Sequence, residues 1–166
     1  MRDSKKLSSK QRKIWFEYIK HHPKIFYAIA SVSPRIVDRI NISRAANLAA
    51  SRAVASLVKK HSLKVRNCRI FLDGGLFLNS KFLILNSTTV VKGDEKISAV
   101  ALASIMAKVT RDKRISAKHK DFPGYDFSSH KGYGTKRHFK EINKLGPTKI
   151  HRLTFLRKTF RYYAIA

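Results

Sequence analysis

The apolar runs in the middle of this chain end on acids. Arg69-Ile70-Phe71-Leu72 leads into Asp73-Gly74-Gly75, and Thr88-Thr89-Val90-Val91 leads through Lys92-Gly93 into Asp94. Short β-rich runs closed by Asp-Gly or Gly-Asp read as strands followed by tight turns. The next segment, Ile97 to about Lys118, carries SAVALASIMAK, whose small residues suit a closely packed long helix. Strands alternating with helices argue for an α/β layer fold. In such folds ligands gather at the C-terminal ends of strands, where these acids lie.

The rest of the chain extends the pattern. Ser8 or Ser9 can cap a helix running to about Lys20, with Ile14, Trp15, Tyr18 and Ile19 at helical spacing, and Pro23 stops it. FYAIASV, Phe26 to Val32, reads as a strand. Ser33-Pro34 is a cap followed by proline at the first helical position, opening one long helix from roughly Arg35 to Lys59. Arg69 to Leu72 reads as a short buried strand, and Phe82 to Leu85 with Thr88 to Val91 as one or two more strand pieces. His138 to Leu145 is a short helix closed by Gly146-Pro147. No repeat or linker interrupts the 166 residues, which fit one domain.

Charge narrows the partners. Lys and Arg number 36 against 10 acids, a formal net charge of +26. Such a chain favours polyanions, nucleic acid first. A membrane surface is the alternative, but no apolar run approaches the roughly 18 residues of a span. The N-terminus, MRDSKKLSSKQRK, is polar throughout and not a signal peptide. Cys68 is the only cysteine, so an intrachain disulfide and a cysteine-based zinc site are excluded, and a buried inert thiol is expected. These features suit a cytoplasmic protein without a membrane partner.

Against that charge, Asp73, Asp94, Glu95 and Asp112 stand in one window. Two strand-end acids can converge on a hard divalent cation, which takes oxygen ligands. Phosphodiester hydrolysis uses such ions: one activates water and the other stabilises the leaving oxygen, ~4 Å apart in two-metal sites. From spacing alone, Asp73 and Asp94 are equally well turn residues beside glycine. Asp112, between Arg111 and Lys113, fits a salt-bridged surface acid, and Glu95 a helix N-terminal acid favoured by the macrodipole. His130-Lys131-Gly132-Tyr133-Gly134-Thr135-Lys136 joins a phenol, two ammoniums and flexible glycines. A tyrosine ring stacks on a sugar or base while lysines hold phosphates, although a solvated basic loop has the same composition. His151-Arg152 fits docking of the C-terminal segment onto the sheet.

Taken in order, these motifs carry a family resemblance. Asp3-Ser4-Lys5-Lys6-Leu7-Ser8, Leu72-Asp73-Gly74, Lys92-Gly93-Asp94, Ala103-Ser104-Ile105 with Ala107-Lys108-Val109-Thr110-Arg111-Asp112, His130-Lys131-Gly132-Tyr133, and Gly146-Pro147 with Ile150-His151-Arg152-Leu153-Thr154-Phe155 follow the pattern of ribonuclease HII. The chain resembles that family from Asp3 to Phe155. The resemblance implies a ribonuclease H-like mixed sheet flanked by helices. It implies endonucleolytic cleavage of RNA in RNA–DNA hybrids with Mg²⁺ or Mn²⁺, leaving 5′-phosphate and 3′-hydroxyl ends. By resemblance Asp73 and Asp94 are metal-binding carboxylates, and Asp112 is a nearby acid. Tyr133 packs on the sugar at the RNA-to-DNA junction, where the 2′-OH distinguishes RNA from DNA. By the same resemblance Lys5, Lys6, Lys92, Lys108 and Lys131 are backbone contacts, although on charge alone each fits an ordinary surface lysine.

The family also begins with a strand bearing Asp-Glu-Ala-Gly-Arg-Gly, whose two acids are further metal ligands. Here Met1-Arg2 stands immediately before DSKKLS, and Asp3, Glu17 and Asp38 are the only acids upstream of Asp73. The expectation is a ribonuclease H-like fold lacking its N-terminal strand or strands, from truncation, from a split with a partner chain supplying the pair, or from decay to a non-catalytic hybrid binder. Truncation is preferred. The last residues, 156–166, form a basic C-terminal tail. A generic basic ribosome-associated protein is a third reading, without preference among duplexes.

Overall fold

The structure, a computed structural model, describes residues 7–64, 67–79 and 86–157. The expected strand Phe82 to Leu85, Lys5, Lys6 and the tail beyond residue 157 lie outside the described residues. The fold is mixed α/β, mostly helical, with a small parallel sheet. The described residues group into two compact units. One draws on Met1–Val32 and Ser43–Val109, the other on Ser33–Ile42 and Thr110–Ala166.

In the first unit, helix α1 spans Ser9–His21. Ser8 Oγ accepts from the Gln11 amide at 3.2 Å, and the Gln11 side chain accepts from the Ser8 amide at 2.8 Å. This reciprocal cap satisfies amides that a helix start leaves open. The helix buries Phe16 and Ile19 in one cluster with Ile105, Met106 and Val109 of helix α5, Ser98–Ala117. Alanine and serine elsewhere on α5 keep that helix slim.

The expected strand over Phe26 to Val32 carries no regular secondary structure and forms no ladder among the described residues. Its period of two is nevertheless visible: Ile25, Tyr27 and Ile29 pack on the α1–α5 cluster. A strand needs a neighbour's amides as well as alternation, and sequence pattern reports only the second.

The single long helix expected from Arg35 to Lys59 is also revised. It is two helices, α2 Pro34–Ile40 and α3 Ile42–His61, interrupted at Asn41 with φ 66°. With ψ at 168°, Asn41 stands in a backbone region that otherwise belongs to glycine, so the two helices meet at a strained joint. Helix α3 pins the segment that follows the first strand: the Phe77 amide donates to Asn47 Oδ1, and the Asn79 amide to Ser51 Oγ, both at 2.9 Å.

Strands β1, Arg69–Asp73, and β2, Asn86–Val90, pair in parallel with Asp73 opposite Val90. The second strand thus begins and ends slightly before the expected Thr88 to Val91. Nor is β1 the buried strand expected, for only Leu72 is buried. Cys68 is half-buried rather than buried, with Sγ 3.7 Å from the Lys64 carbonyl oxygen. Its neighbours in β1 are too exposed to enclose it.

The second unit is built around Tyr125, Phe127 and Ile142. Tyr125 and Phe127 stack with centroids 5.5 Å apart, and the Tyr125 hydroxyl donates to the Leu145 carbonyl at 3.2 Å and also to that of Gly146. Helix α6, Lys136–Leu145, starts on Thr135 Oγ1 and ends at Gly146, whose φ of 77° suits glycine.

A short C-terminal helix, Leu153–Leu156, has no cap of its own. Asp38 of α2 supplies one, accepting from the Leu153 amide at 2.8 Å and the Thr154 amide at 3.1 Å. Burial alone would raise the Asp38 pKa, but the Thr154 side-chain and backbone bonds outweigh it, and the pKa falls. A depressed carboxylate stabilises the fold above its unfolded pKa, 3.8, and that contribution is lost as pH falls through the lower folded value. Asp38→Ala is therefore expected to lower the thermal midpoint at pH 7 by the equivalent of about 1–2 kcal/mol. The difference from wild type should shrink on acidification below pH 3.8, as followed by circular dichroism.

Candidate active site

Asp73 stands at the end of β1, where Gly74 and Gly75 turn the chain, the latter with φ 83°. Its Oδ1 accepts from the Gly74 amide and from the Gly93 amide, each at 2.9 Å. One carboxylate oxygen therefore ties the end of β1 to the turn beyond β2. A Cβ added at Gly93 would meet Val100 Cγ1 at 3.3 Å and Asp73 Oδ1 at 3.5 Å, so glycine permits this close approach.

Asp94 follows at once. It does not close a strand, as the sequence suggested, because β2 ends at Val90. Lys92 turns left-handed at φ 55°, and Asp94 falls in the one-turn helix α4, Gly93–Lys96. The carboxylate-bearing residue is 2% exposed, which holds it in place. Glu95 lies in the same first turn and is exposed, as expected for an acid there.

The first unit thus brings Asp73 and the Gly93-Asp94 turn together through named hydrogen bonds. Both are hard oxygen donors, the class that Mg²⁺ and Mn²⁺ take. The donor type fits such an ion, but the number is small: no group of three or more His, Cys, Asp or Glu suited to a metal occurs among the described residues. Of the lysines singled out, Lys92 is exposed in the left-handed turn, and Lys108 is half-buried on α5.

The other residues singled out lie in the second unit. Arg111 pairs with Asp112 at 3.0 Å, as expected for an acid of that setting, and its guanidinium lies 4.4 Å from the centroid of the Tyr133 ring. Asp112 therefore orients a cation that covers a tyrosine face. Tyr133 remains 45% exposed. Lys131 is left-handed at φ 51°, with its ammonium donating to the carbonyls of Ser128 and, at 3.1 Å, Ser129.

Three histidines that spacing could not assemble hold this loop. His138 Nδ1 lies 3.0 Å from the Tyr133 carbonyl and so must donate to it. The Thr148 amide donates to His151 Nδ1 at 2.9 Å, leaving the His151 proton on Nε2. That proton bridges the 3.1 Å to His138 Nε2. Both rings are neutral with one tautomer each. His130 stacks on His138 at 4.2 Å, accepts from the Gly132 amide at 3.1 Å through Nδ1, and donates through Nε2 to the Tyr125 carbonyl and to Glu141. His151 is thus structural, as its sequence setting suggested, but its bonds run to His138 and Thr148 rather than to the sheet.

Burial, and then the proximity of His138, lowers the His151 pKa from 6.5 to about 4, and burial lowers that of His138. Below pH 6.5 the unfolded chain takes up protons that the folded chain refuses, so stability declines from pH 6.5 toward 4. Thermal midpoints measured over that window should fall more steeply for wild type than for His151→Gln.

The Asp73 bonds give a second expectation. Asn at position 73 keeps an acceptor oxygen and Ala does not. Asp73→Asn should therefore unfold near the wild-type midpoint, with Asp73→Ala about 1–3 kcal/mol less stable.

Comparisons with known proteins place this geometry in context. The family model for ribonuclease HII matches residues 1–160. Ribonuclease HII of Endomicrobium trichonymphae is 44% identical over 155 residues, covering 93% of this chain and 70% of the relative. That of Caldicellulosiruptor bescii is 40% identical over 157 residues, covering 95% and 71%. Among solved structures, the ribonuclease H2 of Pyrococcus horikoshii superposes with a TM-score of 0.64 at 27% identity, covering 96% of this chain and 81% of that one.

Proposed function

The chain belongs to the ribonuclease HII family of endoribonucleases, and from that membership we propose how its own residues serve cleavage of RNA in RNA–DNA hybrids. Asp73 and Asp94 hold divalent cations, Mg²⁺ or Mn²⁺. When bound, such ions supply an activated water and stabilise the leaving oxygen. The observation that carries this assignment is the Asp73 Oδ1 bridge to the Gly74 and Gly93 amides, which fixes one carboxylate and delivers the next. No other donor among the described residues reaches Asp73, so Oδ2 is left for a ligand.

Tyr133, capped on one side by Arg111, takes the sugar at the RNA-to-DNA junction. A ring held this way senses a 2′-OH by close contact. Lys5, Lys6, Lys92, Lys108 and Lys131 serve the phosphate backbone, consistent with the formal charge of +26. Repair of ribonucleotides embedded in DNA, in the cytoplasm, is the role this chemistry fits.

Two carboxylates bind Mg²⁺ weakly, because that ion keeps its waters and demands fixed octahedral geometry. We therefore infer that the 166-residue chain needs further oxygen ligands, of the Asp-Glu kind the family carries, before it cuts. Without them it grips hybrid and leaves it whole.

The test is cleavage of a DNA duplex containing one ribonucleotide, with Mg²⁺ and with Mn²⁺, by the 166-residue chain alone and with a peptide bearing the Asp-Glu segment added. Cutting is expected only with the peptide, and not at all in Asp73→Asn. Robust cutting by the chain alone would show that its ligand set is complete. Tyr133→Ala should lower discrimination between ribo- and deoxyribo-junctions by about tenfold, equivalent to ~1.4 kcal/mol, with hybrid binding largely kept. An unchanged ratio would remove the role assigned to that ring.

A further inference from the structure

The second unit contains a cavity of about 470 Å³ between α2 and the C-terminal helix. Arg35, Arg39 and Arg157 line it, with Ile36 and Leu153 as apolar wall. Lysines outnumber arginines 22 to 14 in this chain, yet every cation at the cavity is an arginine. The difference matters chemically. Guanidinium is planar and presents paired N–H groups that match two phosphate oxygens, whereas ammonium is a point charge.

Asp38 and Thr154 also line the cavity, and a carboxylate there would ordinarily cancel a guanidinium. This one keeps its charge, which offsets one guanidinium at most, but its acceptor capacity is committed elsewhere. Its two oxygens accept from the Leu153 amide, the Thr154 amide and the Thr154 hydroxyl. Arg152 adds a nearby positive charge and is itself held over the Phe155 ring at 4.0 Å. No acid among the described residues forms an ion pair with Arg35, Arg39 or Arg157. All three are exposed, so their charge faces solvent. Three guanidiniums against one carboxylate leave a net positive charge around the concavity, and an anion bound among them offsets it.

We propose that Arg35, Arg39 and Arg157 form a phosphate site that takes a backbone phosphodiester of bound nucleic acid. This rests on the hybrid-binding function above for its macromolecular ligand, but not for its phosphate chemistry. The site adds affinity without sequence preference, and its contribution weakens with salt.

The experiment compares two triple variants with the same charge change. One is Arg35→Gln, Arg39→Gln, Arg157→Gln. The other is Lys140→Gln, Lys144→Gln, Lys149→Gln, exposed lysines of the same unit that lie outside the cavity. Affinity for an RNA–DNA hybrid is measured across a salt series. The arginine variant should lose roughly two to three units of the log–log salt slope, at about 0.9 per phosphate contact, and the lysine variant less than one. Equal losses, or none in the arginine variant, would overturn the proposal.

A second probe is independent of the hybrid. Titration of wild type with inorganic phosphate should shift the side-chain Nε–H resonances of these three arginines together and saturably. Absence of a saturable shift would also overturn it. Should wild type fail to bind hybrid at all, the functional reading falls, and the phosphate titration alone decides this one.

Discussion

One carboxylate oxygen organises the first unit. Asp73 Oδ1 takes the amides of Gly74 and Gly93, and so fastens the end of one strand to the turn that follows its neighbour. A hydrogen bond to a charged acceptor is stronger than one between neutral groups, and two on one oxygen set the plane of the carboxylate. The parallel register, with Asp73 opposite Val90, brings the two turns side by side. Gly93 has no Cβ to hold them apart, and the buried Asp94 comes next in the chain. In this arrangement the acid that would serve chemistry also builds the loop that presents its companion.

The second unit reaches order by a different route. Its aromatic core is small, and its loops are held by neutral imidazoles whose tautomers are set by backbone groups at either end. Burying these rings without charge is compatible with a polycationic chain, in which each added proton would meet many others. The cost is a sensitivity to acid that an aliphatic core would not have. Asp38 plays a comparable part: it spans 115 residues of sequence to cap a helix that lacks its own cap residue.

Much of this was legible in the residues. Ser8, Ser33 with Pro34, and Gly146 are local signals whose chemistry acts within a turn, and each marks a helix end in the structure. The helix from Ser98 to Ala117 was visible in its small residues. Asp73 was placed correctly at a strand end because an apolar run followed by two glycines has few other forms. What escaped depends on partners distant in the chain. FYAIASV has the aromatic and β-branched content of a strand, but such content cannot report whether a neighbouring ladder exists. The break at Asn41 carries no helix-stopping residue stronger than asparagine itself. The histidine relay joins residues 130, 138 and 151, and only the folded loop gives that spacing a meaning. Family membership supplied the chemistry that spacing left open, since Asp-Gly and Gly-Asp by themselves are ordinary turns.

We propose that the Asp73–Gly93 bridge readies a pair of carboxylates for a divalent cation. The most direct measurement is Mn²⁺ titration of the ¹⁵N-labelled chain, following paramagnetic broadening of backbone amides. Broadening should begin at Gly74, Gly93 and Asp94 and be lost in Asp73→Asn while that variant stays folded. Broadening spread evenly over the chain, or unchanged in Asp73→Asn, would contradict it.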